Sequence, residues 1–108
     1  MRPIPPKLRE KLSESKFMKR CCIADHECRG RIEFHHNLTF AGRQVNEEFC
    51  ILPLCTYHHS IEKRRDIKEK LNWVMLNRAE TEQLEAYSKA VDYVSMRERL
   101  NKRYSQPQ

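Results

Sequence analysis

Cys22 and Cys28, separated by five residues, and Cys55 and His58, separated by two, stand on either side of two short apolar runs. Cysteine and histidine in paired half-sites are typical ligands of a tetrahedral zinc ion, and two half-sites flanking a hairpin can close on one ion. That closure constrains the fold more than any other feature, because it ties residue 22 to residue 58 whatever lies between. Cys21 can take the place of Cys22, since neighbouring residues point different ways and the sequence does not say which thiol points inward. The chain opens without a charged-then-apolar leader, so a cytoplasmic, reducing setting is expected. Five cysteines, an odd number, then read as metal binding rather than as a disulfide framework.

A metal staple suits the composition. The 108 residues suffice for one domain, but 39% are apolar against 33% charged, so the core must be thin. Between the half-sites, Ile32 and Phe34 alternate with Arg31 and Glu33, which predicts a half-buried strand over 31–36. The run Phe49 to Leu54 predicts a second strand, with Pro53 placing it at an edge or a strand end. Leu38 to Asn46, containing Gly42, reads as a long hairpin loop.

Pro3, Pro5 and Pro6 predict a stiff lead-in to a short helix carrying Leu8 and Leu12, and Ser13 or Ser15 is expected to cap a second turn with Phe17 and Met18. Beyond the second half-site the apolar spacing turns helical. Ile67, Leu71, Val74 and Met75 share one face, and Leu84, Tyr87, Val91 and Val94 share another, with Thr81 as the cap between two helices. Residues 105–108 are expected to fray. The elements sum to an α+β chain of one domain, 1–108, with a core at 21–65 and a helical extension at 66–104.

The formal charge of +6 points to a polyanionic partner, nucleic acid first, because no segment is apolar enough to span a membrane. Four of the five histidines form two doublets, His35-His36 and His58-His59. Successive residues of a strand face opposite ways, so His35 and His36 are not both simple ligands of one ion unless the strand ends there. One imidazole can hold a metal while its neighbour acts as a base near pH 7.

Over Cys21 to Lys63 the chain resembles the HNH family of nucleases, the ββα-metal or His-Me finger fold, in the subgroup with a zinc knuckle. The resemblance rests on Cys22 and Cys28, then His35-His36, then Asn46, then Leu54-Cys55-Thr56-Tyr57-His58-His59. The stretch Ala41 to Asn46 also looks like small HNH proteins of phages and prophages. The resemblance implies a ββα-metal hairpin-helix core with a zinc knuckle, cleaving phosphodiester bonds in DNA. It makes His35 and His59 ligands of a catalytic divalent ion and His36 the general base, while His58 stands where the family has the last knuckle cysteine. The family's middle asparagine lies five residues before the Leu-Cys cysteine, where this chain has Cys50, so Asn46 matches only with a rebuilt hairpin. A third ligand is left open, because Lys63 stands four residues beyond His59 with Glu62 beside it.

In that reaction Arg43, Lys63 and Arg64 are candidate phosphate contacts. Glu33 can support a ligand histidine or face solvent, and solvent is the simpler expectation. Nitrogen ligands suit Zn2+, Ni2+, Co2+ or Mn2+ better than Mg2+, without fixing the catalytic metal. Two other readings compete. One is a non-catalytic zinc-binding module for nucleic acid; the other is an interaction domain whose helices, bearing Trp73, Tyr87 and Tyr93, dimerise, although those aromatics suit a core better. Whether the chain is a monomer or a homodimer is open.

Overall fold

Pro6 occupies the first turn of helix α1 (Pro6–Glu14), where its missing N–H is no loss, and Pro5 enters it extended at φ −56°, ψ 145°. The structure is a computed structural model that describes residues 4–40 and 42–104. Arg2 and Pro3 of the expected lead-in, Ala41 of the loop and the tail expected to fray at 105–108 lie outside the described residues. Helix α1 buries Leu12 completely against Ile4, Met18 and Ile51. A leucine so buried contributes about 2 kcal/mol. The following 3-10 turn (Phe17–Lys19) has no side-chain cap. Ser15 serves it through its backbone oxygen, which accepts from Met18 N–H at 3.2 Å, and Ser13 Oγ instead bonds back to Glu10 O.

Strand β1 (Ile32–His36) pairs antiparallel with β4 (Ile51–Cys55), in a register that sets Ile32 opposite Cys55, His35 opposite Leu52 and His36 opposite Ile51. The loop between them carries a second small ladder, β2 (Thr39–Phe40) with β3 (Arg43–Gln44), turning at Gly42, whose φ of +78° favours glycine. A 3-10 turn at Glu48–Cys50 replaces the start of the expected second strand. All five residues of β4 are buried. Its alternate residues enter different cores, Ile51 the α1 side and Leu52 and Leu54 the side of the C-terminal helices. Pro53 lacks an N–H, as expected at an edge, and its carbonyl accepts from Cys22 N–H at 2.9 Å.

Strand β4 runs directly into helix α2 (Thr56–Ser60), and α3 (Arg65–Arg78) follows, burying Ile67, Leu71, Met75 and Leu76 on one face. The second expected C-terminal helix is two helices, α4 (Thr81–Tyr87) and α5 (Tyr93–Tyr104). Val91, expected on the helical face, is 41% exposed in the connection between them. Local caps cause the break: Asp92 Oδ1 accepts from Ser95 N–H at 3.1 Å to start α5. Likewise Glu80, not Thr81, caps α4, in a reciprocal box with Gln83. Trp73, Tyr87 and Tyr93 pack against the larger core, as expected of core aromatics. Among the described residues no helix is long and apolar enough to cross a membrane.

Candidate metal centre and histidine cleft

Cys55 ends β4 and also caps α2, its Sγ accepting from His58 N–H at 3.5 Å and from Arg29 N–H at 3.4 Å. One turn of helix therefore delivers His58, fully buried, beside the thiol of Cys55. The loop before β1 folds back over this corner, with Ala24 at φ 50° and Gly30 at φ 85°. Gly30 is required there twice over, since a Cβ would also stand 2.6 Å from Thr56 Cβ. The loop brings Cys21 and Cys28 to the same point, and the four ligand atoms of Cys21, Cys28, Cys55 and His58 lie within 4.8 Å of one another.

The sulfur atoms of Cys55, Cys21 and Cys28 stand 3.2, 3.5 and 3.6 Å from His58 Nδ1. Bonds of about 2.3 Å to sulfur and 2.0–2.1 Å to nitrogen place S and N about 3.5 Å apart across a tetrahedron, so these edges fit a single metal ion. The other ring nitrogen, His58 Nε2, is 3.1 Å from the Asp25 carboxylate. That carboxylate can only accept, so Nε2 carries the proton and the Nδ1 lone pair faces the three thiols. Burial pushes the Cys55 thiol up, but the N–H donors of His58 and Arg29 outweigh it and bring it down to about 6. A thiolate at neutral pH is the form that ligates.

Cys22, the first choice from spacing, is not in the group; Cys21 is. Cys22, half-buried, packs against the larger core, where burial and the adjacent Cys21 push its thiol up to about 12. Cys50 is likewise a buried, packed thiol, raised to about 12 by burial. Asp25 was not anticipated. Its signal was available in principle, since a ligand histidine commonly donates its second nitrogen to a carboxylate.

From an adjoining face of α2, His59 lines a cleft of about 600 Å3 together with His35, His36, Glu62, Lys63 and Lys68. His35 is buried, and burial lowers its pKa against the pull of Glu62, whose Oε2 is 3.7 Å from His35 Nε2. The His35 and His59 rings meet edge to face at 5.3 Å between centroids. Glu33, two residues before His35 on the same face of β1, accepts from His59 Nδ1–H at 2.7 Å. The expectation that Glu33 is simply solvated is corrected by this contact.

His36 Nε2 lies 2.8 Å from Asn46 Oδ1. The loop thus brings Asn46 to the second histidine of the doublet, ten residues earlier in the chain. The β2–β3 ladder turns the chain back between His36 and Asn46, and the 3-10 turn at Glu48–Cys50 takes up residues between Asn46 and β4. Buried Asn37 ties the cleft floor to α3, donating to Asn72 Oδ1 at 3.0 Å and accepting from Lys68 Nζ at 3.3 Å and facing His35 Nε2 at 3.2 Å.

Of the three expected phosphate contacts, Lys63 lines the cleft and Arg43 is exposed on β3. Arg64 is instead held by Asp66 through two bonds of 2.9 and 2.8 Å. Lys68, one turn into α3, was missed because its spacing from the Lys63–Arg65 cluster shows no motif. No protein-family model matches the chain, and no curated protein or solved structure does so at a significant level.

Proposed function

We propose that the chain is a metal-dependent endonuclease of the HNH type that hydrolyses phosphodiester bonds in DNA. The observation that carries this reading is the bond between His36 and Asn46 at the edge of a cleft that also holds His35, His59 and Glu62. Asn46 Oδ1 can only accept, so it fixes the proton on His36 Nε2 and leaves the Nδ1 lone pair to take a proton from water. A histidine held in one tautomer by a neighbour is a base prepared for use.

His35, His59 and Glu62 would hold the catalytic divalent ion. When bound, that ion supplies relief of the charge that builds on the phosphoryl oxygens. Glu33 accepts the hydrogen bond of His59 Nδ1–H and leaves His59 Nε2 as the ligating nitrogen, while burial favours neutral His35, which would ligate beside Glu62 by exchanging its Nε2 contact with Asn37 Oδ1 for the ion. Glu62, three residues beyond His59 in the turn after α2, would supply the donor that the sequence left open. Lys63 and Lys68 position phosphate at the rim. Cys21, Cys28, Cys55 and His58 would hold a second metal, a structural Zn2+, and so would fix α2, from which His59 projects.

A non-catalytic zinc module that binds nucleic acid accounts equally well for the cysteines and the charge, but it gives no role to the Asn46–His36 pair. The two readings separate on incubation of purified protein with supercoiled plasmid under Mg2+, Mn2+, Co2+, Ni2+ and Zn2+. Cleavage by the parent protein but not by His36→Ala is expected. Binding without cleavage under every metal would leave only the module.

A further inference from the structure

The basic rim does not end at the histidine cleft. Lys63 and Lys68 line both that cleft and a second one of about 430 Å3, between α3 and α5. The second adds Arg65 from α3 and Arg99 and Arg103 from α5, over a floor that includes Met96 and Leu100. Glu69 is the carboxylate among its lining residues, and it is already engaged by Arg103 at 2.6 Å and by Tyr104 Oη–H at 2.7 Å. Lys63, Arg65 and Arg99 have no ion-pair partner within 4.0 Å among the described residues.

Five cations line the groove against one lining carboxylate, Glu69, and on balance they repel one another. Arg65 is doubly unfavourable, because it stands in the first turn of α3, where the helix dipole favours anions. Folding alone does not explain this arrangement; a polyanion laid along the groove does. Lys63, Arg65, Arg99 and Arg103 are exposed and Lys68 is half-buried, and the groove adjoins the histidine cleft at the two lysines that line both.

We propose that the α3–α5 groove carries the sugar–phosphate backbone of the nucleic acid beyond the histidine cleft, with Lys63 and Lys68 at the junction and Arg65 and Arg99 along the track. This rests on the phosphodiesterase reading above and adds where the substrate runs. Contacts of this kind set register without reading bases, and they act by counterion release.

The test measures fluorescence anisotropy of the His36→Ala protein on a labelled duplex of about 30 base pairs and on a single strand of the same length, across a salt series. Adding Arg65→Ala and Arg99→Ala should lower the log–log salt slope by about two and weaken binding about tenfold or more at low salt. A control pair outside both clefts, Lys7→Ala and Lys89→Ala, should leave the slope in place. Loss on the duplex or on the single strand identifies the form that occupies the groove. An unchanged slope in a folded, metal-replete Arg65/Arg99 variant overturns the proposal, as does an equal loss in the control pair. If the parent neither binds nor cuts nucleic acid, the nuclease reading itself has failed; if it does both while the slope stands, only the groove has.

Discussion

His58 and His59 are neighbours in α2, and each gives one ring nitrogen to a carboxylate, His58 to Asp25 at 3.1 Å and His59 to Glu33 at 2.7 Å. Their surroundings differ. The His58 side chain is fully buried and meets three thiols, whereas His59 is 34% exposed and meets one further imidazole across an open cleft. A closed set of four ligands leaves no position for water or substrate, and such a set holds structure. An open arrangement of histidine and carboxylate leaves room for chemistry. Adjacent helical residues project about 100° apart, so one turn of α2 serves both sites at once.

The largest effect that can break this comparison is loss of the closed centre. Structural zinc in small domains is bound with about 10 kcal/mol or more, comparable with the whole stability of a domain. Cys21→Ala, or a strong chelator, should therefore abolish cooperative melting and eliminate both sites, read by circular dichroism and metal analysis. Cys22→Ala should cost only about 1 kcal/mol and keep one equivalent of metal. A Cys21→Ala protein that retains its metal would refute the ligand set.

Next in size is the open site. His36→Ala should reduce cleavage by about 10²–10⁴-fold with the melting temperature and structural metal unchanged. Parental cleavage rates in that variant would remove His36 from the reaction. The two carboxylates come third. Glu33→Gln should weaken the cleft ion, and Asp25→Asn the cysteine-bound ion, by about 10–100-fold each, measured in metal-buffered competition. Each change should leave the other site's affinity alone, and crossed effects would mean that the two sites are one unit. The smallest effect concerns the rim: Lys63→Ala should lower the salt slope of DNA binding by about one, while Arg64→Ala, already engaged by Asp66, should hardly move it.

Cys28, Cys55, His58 and both doublets were legible because their types and spacing carry ligand chemistry directly. The face of α3 was legible from Ile67, Leu71 and Met75, whose period follows from helix geometry. The division of the last helix was not, because the apolar period continues through Val91 while the caps Asp92 and Glu80 are single residues without periodicity. Asp25 and Lys68 were silent, and Glu33 and Glu62 were legible only as open alternatives, for a different reason. In a chain one-third charged, a functional carboxylate or lysine looks like any solvated one.

The sequence by itself determined an α+β chain with paired Cys/His half-sites on either side of two strands, since covalent spacing and side-chain type decide which atoms could reach one ion. Only the tertiary structure decided that Cys21 rather than Cys22 turns inward, that the β2–β3 ladder carries Asn46 to His36, and that α5 lays its arginines beside those of α3. Those are choices of direction between segments distant along the chain. They depend on which face of each element is buried against which, and a linear pattern records the faces of an element but not its partner.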